Sequence, residues 1–355
     1  MDDINCSYPL ETVGNKSDES DENLAAFALR IYNFHNYALL VIPIISIIFN
    51  GFCLFIFFDK IWKKSILSIL LKYLSATEIV FNISGFLYSV TKFIDYPSIN
   101  QFSKLFWVFI LQIGTFSVAS GLICRNWTIL HLAIYRFDSI CRPLNTKKIY
   151  TETSTYKLLW ITYILAAVIA FPRTFEYKAT FCEGNLVLKP SLLNYDWYAY
   201  GYQGSLIFII QTAAPVVCTS ILSISVMRAI LKVKRFRKSF SKTIKTKNNA
   251  ISGDALMIFI CLAFFLFETP SFFSKALQSY LMRNNKIIED VLLATVANLL
   301  VYLDSVINIF VYILSNPVFR KKLKQIFHFK AFNLKEYPTE ATALERRETI
   351  SQSKE

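Results

Sequence analysis

A bundle of seven membrane-crossing helices, followed by one short amphipathic helix, is the fold class this chain predicts. Three observations point to it. Seven apolar stretches run at roughly 37–58, 66–91, 105–135, 156–173, 200–227, 254–280 and 287–314; a helix needs about 20 mostly apolar residues to cross the hydrocarbon core. Hydrophobic residues make up 54% of the 355, with 32 Phe and a mean hydropathy of +0.41, above the ~45–50% apolar usage of soluble domains. The basic residues behind the net charge of +13 gather in alternate connectors, which argues against a nucleic-acid surface. In lipid the backbone has to satisfy its own hydrogen bonds, so each run is read as a helix.

The chain divides into an extracellular tail over 1–36, the bundle over 37–315, a membrane-surface helix over 316–330 and a disordered cytoplasmic tail over 331–355. The first segment is acidic, with Asp2, Asp3, Glu11, Asp18, Glu19, Asp21 and Glu22. It carries two acceptor sequons for N-glycosylation, at Asn5 and Asn15. No basic start with a short apolar stretch opens the chain, so the first run is expected to act as the membrane signal. The connectors after runs 1, 3, 5 and 7 are basic: Lys60, Lys63 and Lys64; then Arg136, Arg142, Lys147, Lys148 and Lys157; then nine Lys and Arg between Arg228 and Lys247; then Arg320, Lys321, Lys322 and Lys324. All fall on one side of a seven-fold crossing, and positive charge marks that side as cytoplasmic. The plasma membrane is the expected location, with the N-terminus outside. Sequons at Asn82 and Asn126 lie inside runs 2 and 3 and are read as chance.

Of seven cysteines, Cys53, Cys124, Cys218 and Cys261 sit within runs as small apolar fillers. Cys141 faces the reducing side. Cys6 and Cys182 face outward, where disulfides persist. A Cys6–Cys182 bridge is expected; two free thiols are the alternative.

Run 3 ends Ala133-Ile134-Tyr135-Arg136-Phe137-Asp138-Ser139-Ile140-Cys141-Arg142-Pro143-Leu144. This resembles the Asp-Arg-Tyr stretch and Arg-Pro-Leu sequel of rhodopsin-like G-protein-coupled receptors. Trp160, Pro215, Phe264 and Pro270 match that family's marks in helices 4, 5 and 6. Asn308-Ile309-Phe310-Val311-Tyr312 is similar to its helix-7 Asn-Pro-x-x-Tyr, and Asn50 and Glu78 align with its helix-1 Asn and helix-2 Asp. The segments Phe171–Tyr177 and Asp304–Asn308 resemble FMRFamide-type peptide receptors and the nematode chemoreceptors of class W. The resemblance covers about 37–330 and implies a receptor that binds an extracellular ligand and activates a heterotrimeric G protein. The departures are specific. Tyr135 replaces the acid, so no salt bridge forms within that triplet. Ile309 replaces the helix-7 proline, Glu268 the helix-6 tryptophan, and Leu111 the helix-3 cysteine that usually bonds the loop bearing Cys182.

Glu78, Arg125, Glu268 and Asp304 lie deep in their runs, where a charge costs ~2.5–3.5 kcal/mol on insertion scales and is expected to face the bundle interior. Arg125 stands eleven residues before Arg136, three turns back on the same face. In the resembling family a sodium ion sits at this level against the helix-2 acid. Here Arg125 is expected to replace it, pairing with Glu78, with Asp304 also in reach, in a buried polar cluster that includes Asn50. A packing pair with no bearing on signalling is the alternative.

The resemblance assigns Arg136, with Tyr135, Pro270, Asn308 and Tyr312, to G-protein coupling and activation. After Asn316-Pro317, Phe319, Leu323, Ile326 and Phe327 form an apolar stripe at helical spacing. With its basic flanks this reads as a helix lying on anionic membrane lipids. Thr339, Thr342, Thr349, Ser351 and Ser353 are candidate phosphorylation sites that would recruit arrestin.

Ligand candidates in the outer half are Tyr88, Gln112, Thr115, Glu176, Gln211, Glu268, Lys275, Asn298 and Tyr302. For each, an interhelical hydrogen bond is an equal alternative. An Arg-Phe-amide peptide would find an acid in Glu176 or Glu268 and an aromatic slot at Phe272. Val118 offers no counter-ion for an amine, and Tyr302 offers no Schiff-base lysine. The ligand is expected to be a neuropeptide, with an environmental small molecule as the sibling reading. A transporter or channel would show repeats or Gly/Pro-broken helices, and there are nine Gly. No enzyme activity, cofactor or metal is expected, since His35, His131 and His328 are too scattered for a ligand set.

Overall fold

The computed structural model describes residues 19–59, 65–93, 100–142, 146, 149–182, 185–240, 251–284 and 286–327. Both sequons, Cys6 with its bridge to Cys182, and the tail with its Ser and Thr sites lie outside them. Seven helices are long and apolar enough to cross a membrane. They are α1 (Glu19–Phe57), α2 (Ile66–Val90), α3 (Gln101–Cys141), α4 (Glu152–Ala170), α5 (a first part, Trp197–Ala213, and a second, Ala214–Phe240), α6 (Ile251–Arg283) and α7 (Ile287–Ser315); α8 (Pro317–Phe327) follows.

Contacts close the set into a ring: α1 packs on α2 and α7, α7 on α6, α6 on α5, and α3 touches α2, α4, α5 and α6. The polar and charged side chains of the helices turn inward, beside an apolar core, and the outer surface is apolar. Glu78, Arg125 and Asn126 are 0% exposed, whereas Val168 is 65% and Leu314 73% exposed. That inversion suits a lipid solvent, in which apolar surface has nothing to gain from burial.

Three helix starts show their chemistry. Asn100 accepts from the Ser103 N–H at 2.8 Å and Thr151 from the Ser154 N–H at 3.1 Å. Asn316 accepts from the N–H groups of Val318 and Phe319 at 3.0 and 3.1 Å, at the head of α8. Each meets donors that a helix's first turn leaves unsatisfied.

The structure adds to the sequence reading in four places. First, α1 begins at Glu19, so the segment taken as tail up to 36 is helical over its second half; no Gly or Pro lies between Gly14 and Pro43 to stop it. Second, Tyr177–Cys182 and Asn185–Pro190 pair as an antiparallel hairpin, β1 and β2, the one sheet among the described residues.

Third, Trp197–Ala213 is wound as a π-helix, and the Ala214 N–H reaches back to the Ile209 carbonyl. Pro215 has no N–H to give, and side chains of α3 fill the gap. Asn126 Nδ2 donates to the Gln211 carbonyl at 2.7 Å, and Trp127 Nε1 donates to the Ile210 carbonyl at 3.0 Å. Asn126→Ala is expected to lower stability by about 1–3 kcal/mol, because it orphans a buried carbonyl; thermal unfolding of purified protein measures it.

Fourth, α8 is held by the bundle. Phe319 is fully buried, at ring distances of 5.6 Å from both Phe57 and Tyr312, and Leu323 and Ile326 pack on the same core. Arg320 Nη1 donates to the carbonyls of Ile313 and Leu314 at 3.1 and 2.7 Å, satisfying acceptors at the end of α7. Lys322 pairs with Asp59 at 2.5 Å. Two of the four basic residues assigned to lipid therefore serve the protein itself.

Candidate functional site

The centre of the bundle is built on Arg125. Its position on α3, three turns from Arg136, aims it at α2, α6 and α7. Nε donates to Glu78 Oε1 at 2.9 Å, Nη1 to Glu268 Oε1 at 2.5 Å, and Nη2 to Asp304 Oδ2. Nη1 also reaches Asn126 Oδ1 at 3.3 Å. A planar fork of five donors serves three carboxylates from three helices at once, each on its own nitrogen.

Glu78 has further donors: Asn308 Nδ2 at 3.0 Å, and the Ser305 hydroxyl. Asn50 Nδ2 donates to the Ser305 carbonyl at 3.0 Å, joining α1 to the same turn of α7. The Oε2 atom of Glu268 is buried with no hydrogen-bond partner. These residues do not fit a sodium ion, because the guanidinium already occupies the ground between the carboxylates.

Of the expected partners of Arg125, the structure places Glu78 and Asp304 against it. It adds Glu268, which sequence reasoning had assigned to the ligand. Glu268 lies two residues before Pro270 in α6, so the ion network ties α3 to α6 beside the one residue of that helix with no N–H.

At the hairpin end a second acid organises the walls. Glu176 is 2% exposed. Its Oε1 accepts from Arg173 Nε at 2.9 Å, the Tyr198 hydroxyl at 3.0 Å and Gln203 Nε2 at 2.6 Å. From α3, Gln112 Nε2 donates to the Tyr177 carbonyl at 3.1 Å and Thr115 to the Arg173 carbonyl at 3.2 Å. Glu176, Gln112 and Thr115 thus hold the 3-10 turn Phe171–Phe175 and the start of β1 to the bundle.

The other ligand candidates scatter. Lys275 donates to Thr212 at 3.1 Å. Tyr302 stacks on Phe81 at 4.8 Å, Phe272 meets Phe208 at 5.4 Å, and Tyr88 lies under the Lys92 ammonium at 5.3 Å. Gln211 is buried with Oε1 lacking a partner. Asn298 is exposed and takes no part in these contacts.

At the α8 end, Tyr135 meets Tyr150 edge-on at 5.2 Å. Burial and the adjacent Asp138 carboxylate push the Tyr150 hydroxyl up to about 12. The residue standing in for the acid therefore anchors the connector before α4 by packing. Arg136 is half-buried. Tyr312 is fully buried and its ring contacts are Phe57 and Phe319, on the α1 and α8 side. His131 meets Thr162 at 2.9 Å, an internal hydrogen bond. Among the described residues no set of His, Cys, Asp and Glu could hold a metal.

The family described as "7 transmembrane receptor (rhodopsin family)" matches residues 38–312 of the chain. No curated protein matches it.

Proposed function

Because the chain belongs to the rhodopsin family of seven-transmembrane receptors, a family of multi-pass membrane receptors and not of enzymes, we propose that it senses an extracellular ligand, an FMRFamide-like neuropeptide, and activates a heterotrimeric G protein from the plasma membrane. One observation carries the mechanism: Arg125 ties α3 to α6 through Glu268, next to Pro270. An agonist shifts the bundle only by binding its active arrangement more tightly than its resting one. Glu268 and the half of α6 that faces Arg136 both precede Pro270, so displacing that half about Pro270 breaks the Arg125–Glu268 pair and opens the α8 end beside Arg136 in one motion. The turn anchored by Glu176, Gln112 and Thr115 and the Lys275–Thr212 contact supply polar walls for the ligand. Arg136, Tyr135, Asn308 and Tyr312 lie toward the G protein, and arrestin is the second partner on that side.

The basic connectors support an N-terminus outside and a C-terminus in the cytosol. Tags fused to Met1 and Glu355 should label on opposite sides of intact cells; two cytosolic tags would overturn the orientation. A panel of amidated peptides on transfected cells, read by second messenger and by nucleotide exchange on purified G protein, tests the ligand class.

A small molecule as ligand is favoured by a specific observation. Glu176 and Glu268 already accept from this chain's Arg173 and Arg125, which leaves Lys275 as the charge offered to a ligand. Response to a small-molecule panel and silence to every peptide would select it.

The filled ion position has its own consequence. Agonist affinity is expected to stay the same when sodium is exchanged for a bulky organic cation at constant ionic strength. A shift in radioligand affinity would show that the position still admits sodium.

A further inference from the structure

We propose that the buried cluster around Arg125 is a proton-binding site, in which Glu268 and Asp304 share one proton at neutral pH. The argument starts from charge. Glu78, Glu268 and Asp304 all contact a single guanidinium, and none of the four side chains is more than 3% exposed. Three carboxylates against one cation leave two negative charges uncompensated. Lys275 stands seven residues from Glu268, two turns along the same face of α6; counting it still leaves one. A lone charge buried in low dielectric costs far more than a proton bound from water, so the group neutralises.

The hydrogen bonds say where the proton goes. Glu78 accepts from Arg125, Asn308 and Ser305, so both of its oxygens already have donors. Among the described residues Glu268 accepts from Arg125 alone, and its Oε2 is a buried acceptor with no donor. Asp304 likewise accepts from Arg125. A proton on either acid removes the excess charge, and Glu268 Oε2 is the oxygen with no donor of its own to oppose one. The other titratable groups at hand are Tyr312 of α7, which faces Glu78 and Asp304, and Cys53 of α1, which faces Tyr312. Among the described residues α4 and α5 place no charged group against the cluster.

The inference rests on the ion geometry and on no assumption about ligand or G protein. A carboxyl that keeps its proton when folded and releases it when unfolded makes the folded state bind more protons. Stability is then highest in acid and falls as pH rises, about tenfold in the folded-to-unfolded ratio per pH unit above about pH 5, until the cluster itself titrates.

The test uses the full chain in lipid nanodiscs, melted across pH and read by infrared spectroscopy. The wild type should show a protonated-carboxyl carbonyl band at neutral pH and the falling stability. Glu268→Gln and Asp304→Asn each remove one negative charge, so each should fold, lose the band and lose that component of the pH dependence. Lys275→Met removes a positive charge and should strengthen the band. No band in the folded wild type, or a band and slope unchanged in both neutral variants, overturns the proposal.

Discussion

Arg125→Leu should remove a large share of the protein's stability. Removing one partner of a buried ion network leaves its opposite charges without compensation, at about 3–5 kcal/mol, against a total stability of roughly 5–15 kcal/mol. Here three carboxylates lose their common donor, and Asn126 loses a contact as well. Surface display in transfected cells and thermal unfolding of whatever protein is recovered give the magnitude. Arg125→Lys should recover little, because a compact ammonium cannot reach three acceptors set around a planar fork. Neutralising the acids in the same chain, with Glu78→Gln, Glu268→Gln and Asp304→Asn added to Arg125→Leu, should restore much of the loss, as all-neutral replacements of buried ion networks often do. A single Arg125→Leu variant with native yield and melting would show that the cluster does not hold the helices together.

The second large effect is expected at Glu176→Leu. One buried oxygen accepts from Arg173, Tyr198 and Gln203, so the substitution strands a phenol, an amide and a guanidinium together. Hydrogen bonds to a charged group contribute about 1.5–3 kcal/mol each. Arg173 is 24% exposed, and water takes over part of its loss. The Tyr198 and Gln203 bonds then set a cost of about 3–6 kcal/mol, localised to the 3-10 turn and the first part of α5. Amide exchange should quicken there and stay unchanged at the Arg125 level. Glu176→Gln, which keeps an acceptor, should lose about half as much. Equal protection in wild type and Glu176→Leu would refute the assignment.

The bundle was legible in the sequence because lipid leaves the chain few options. Apolar runs of the right length have to be helices, and charges inside them have to turn inward. That logic reached Arg125, Glu78 and Asp304, since periodicity from Arg136 gives a face. It did not pair Glu268 with Arg125, because periodicity says that a side chain points inward and not which helix stands opposite. The hairpin strands, six residues each, are too short for alternation to stand out. The contacts of α8 within the chain were hidden for a related reason. Arg320 and Lys322 look like a lipid-facing charge pair until the carbonyls of Ile313 and Leu314 and the carboxylate of Asp59 are seen beside them. The π-wound part of α5 had a signal, Pro215, whose missing donor implied a carbonyl in need. That α3 would answer with Asn126 and Trp127 needed the fold.

The seam between α3 and α5 makes three positions an epistatic unit. With Pro215 in place, the donors at 126 and 127 are required; with Pro215→Ala, a backbone N–H returns to compete for the Gln211 carbonyl and Asn126 becomes expendable. Tolerance at any one of the three is conditional on the other two, so single-site scans of this region will misjudge which substitutions the protein can accept.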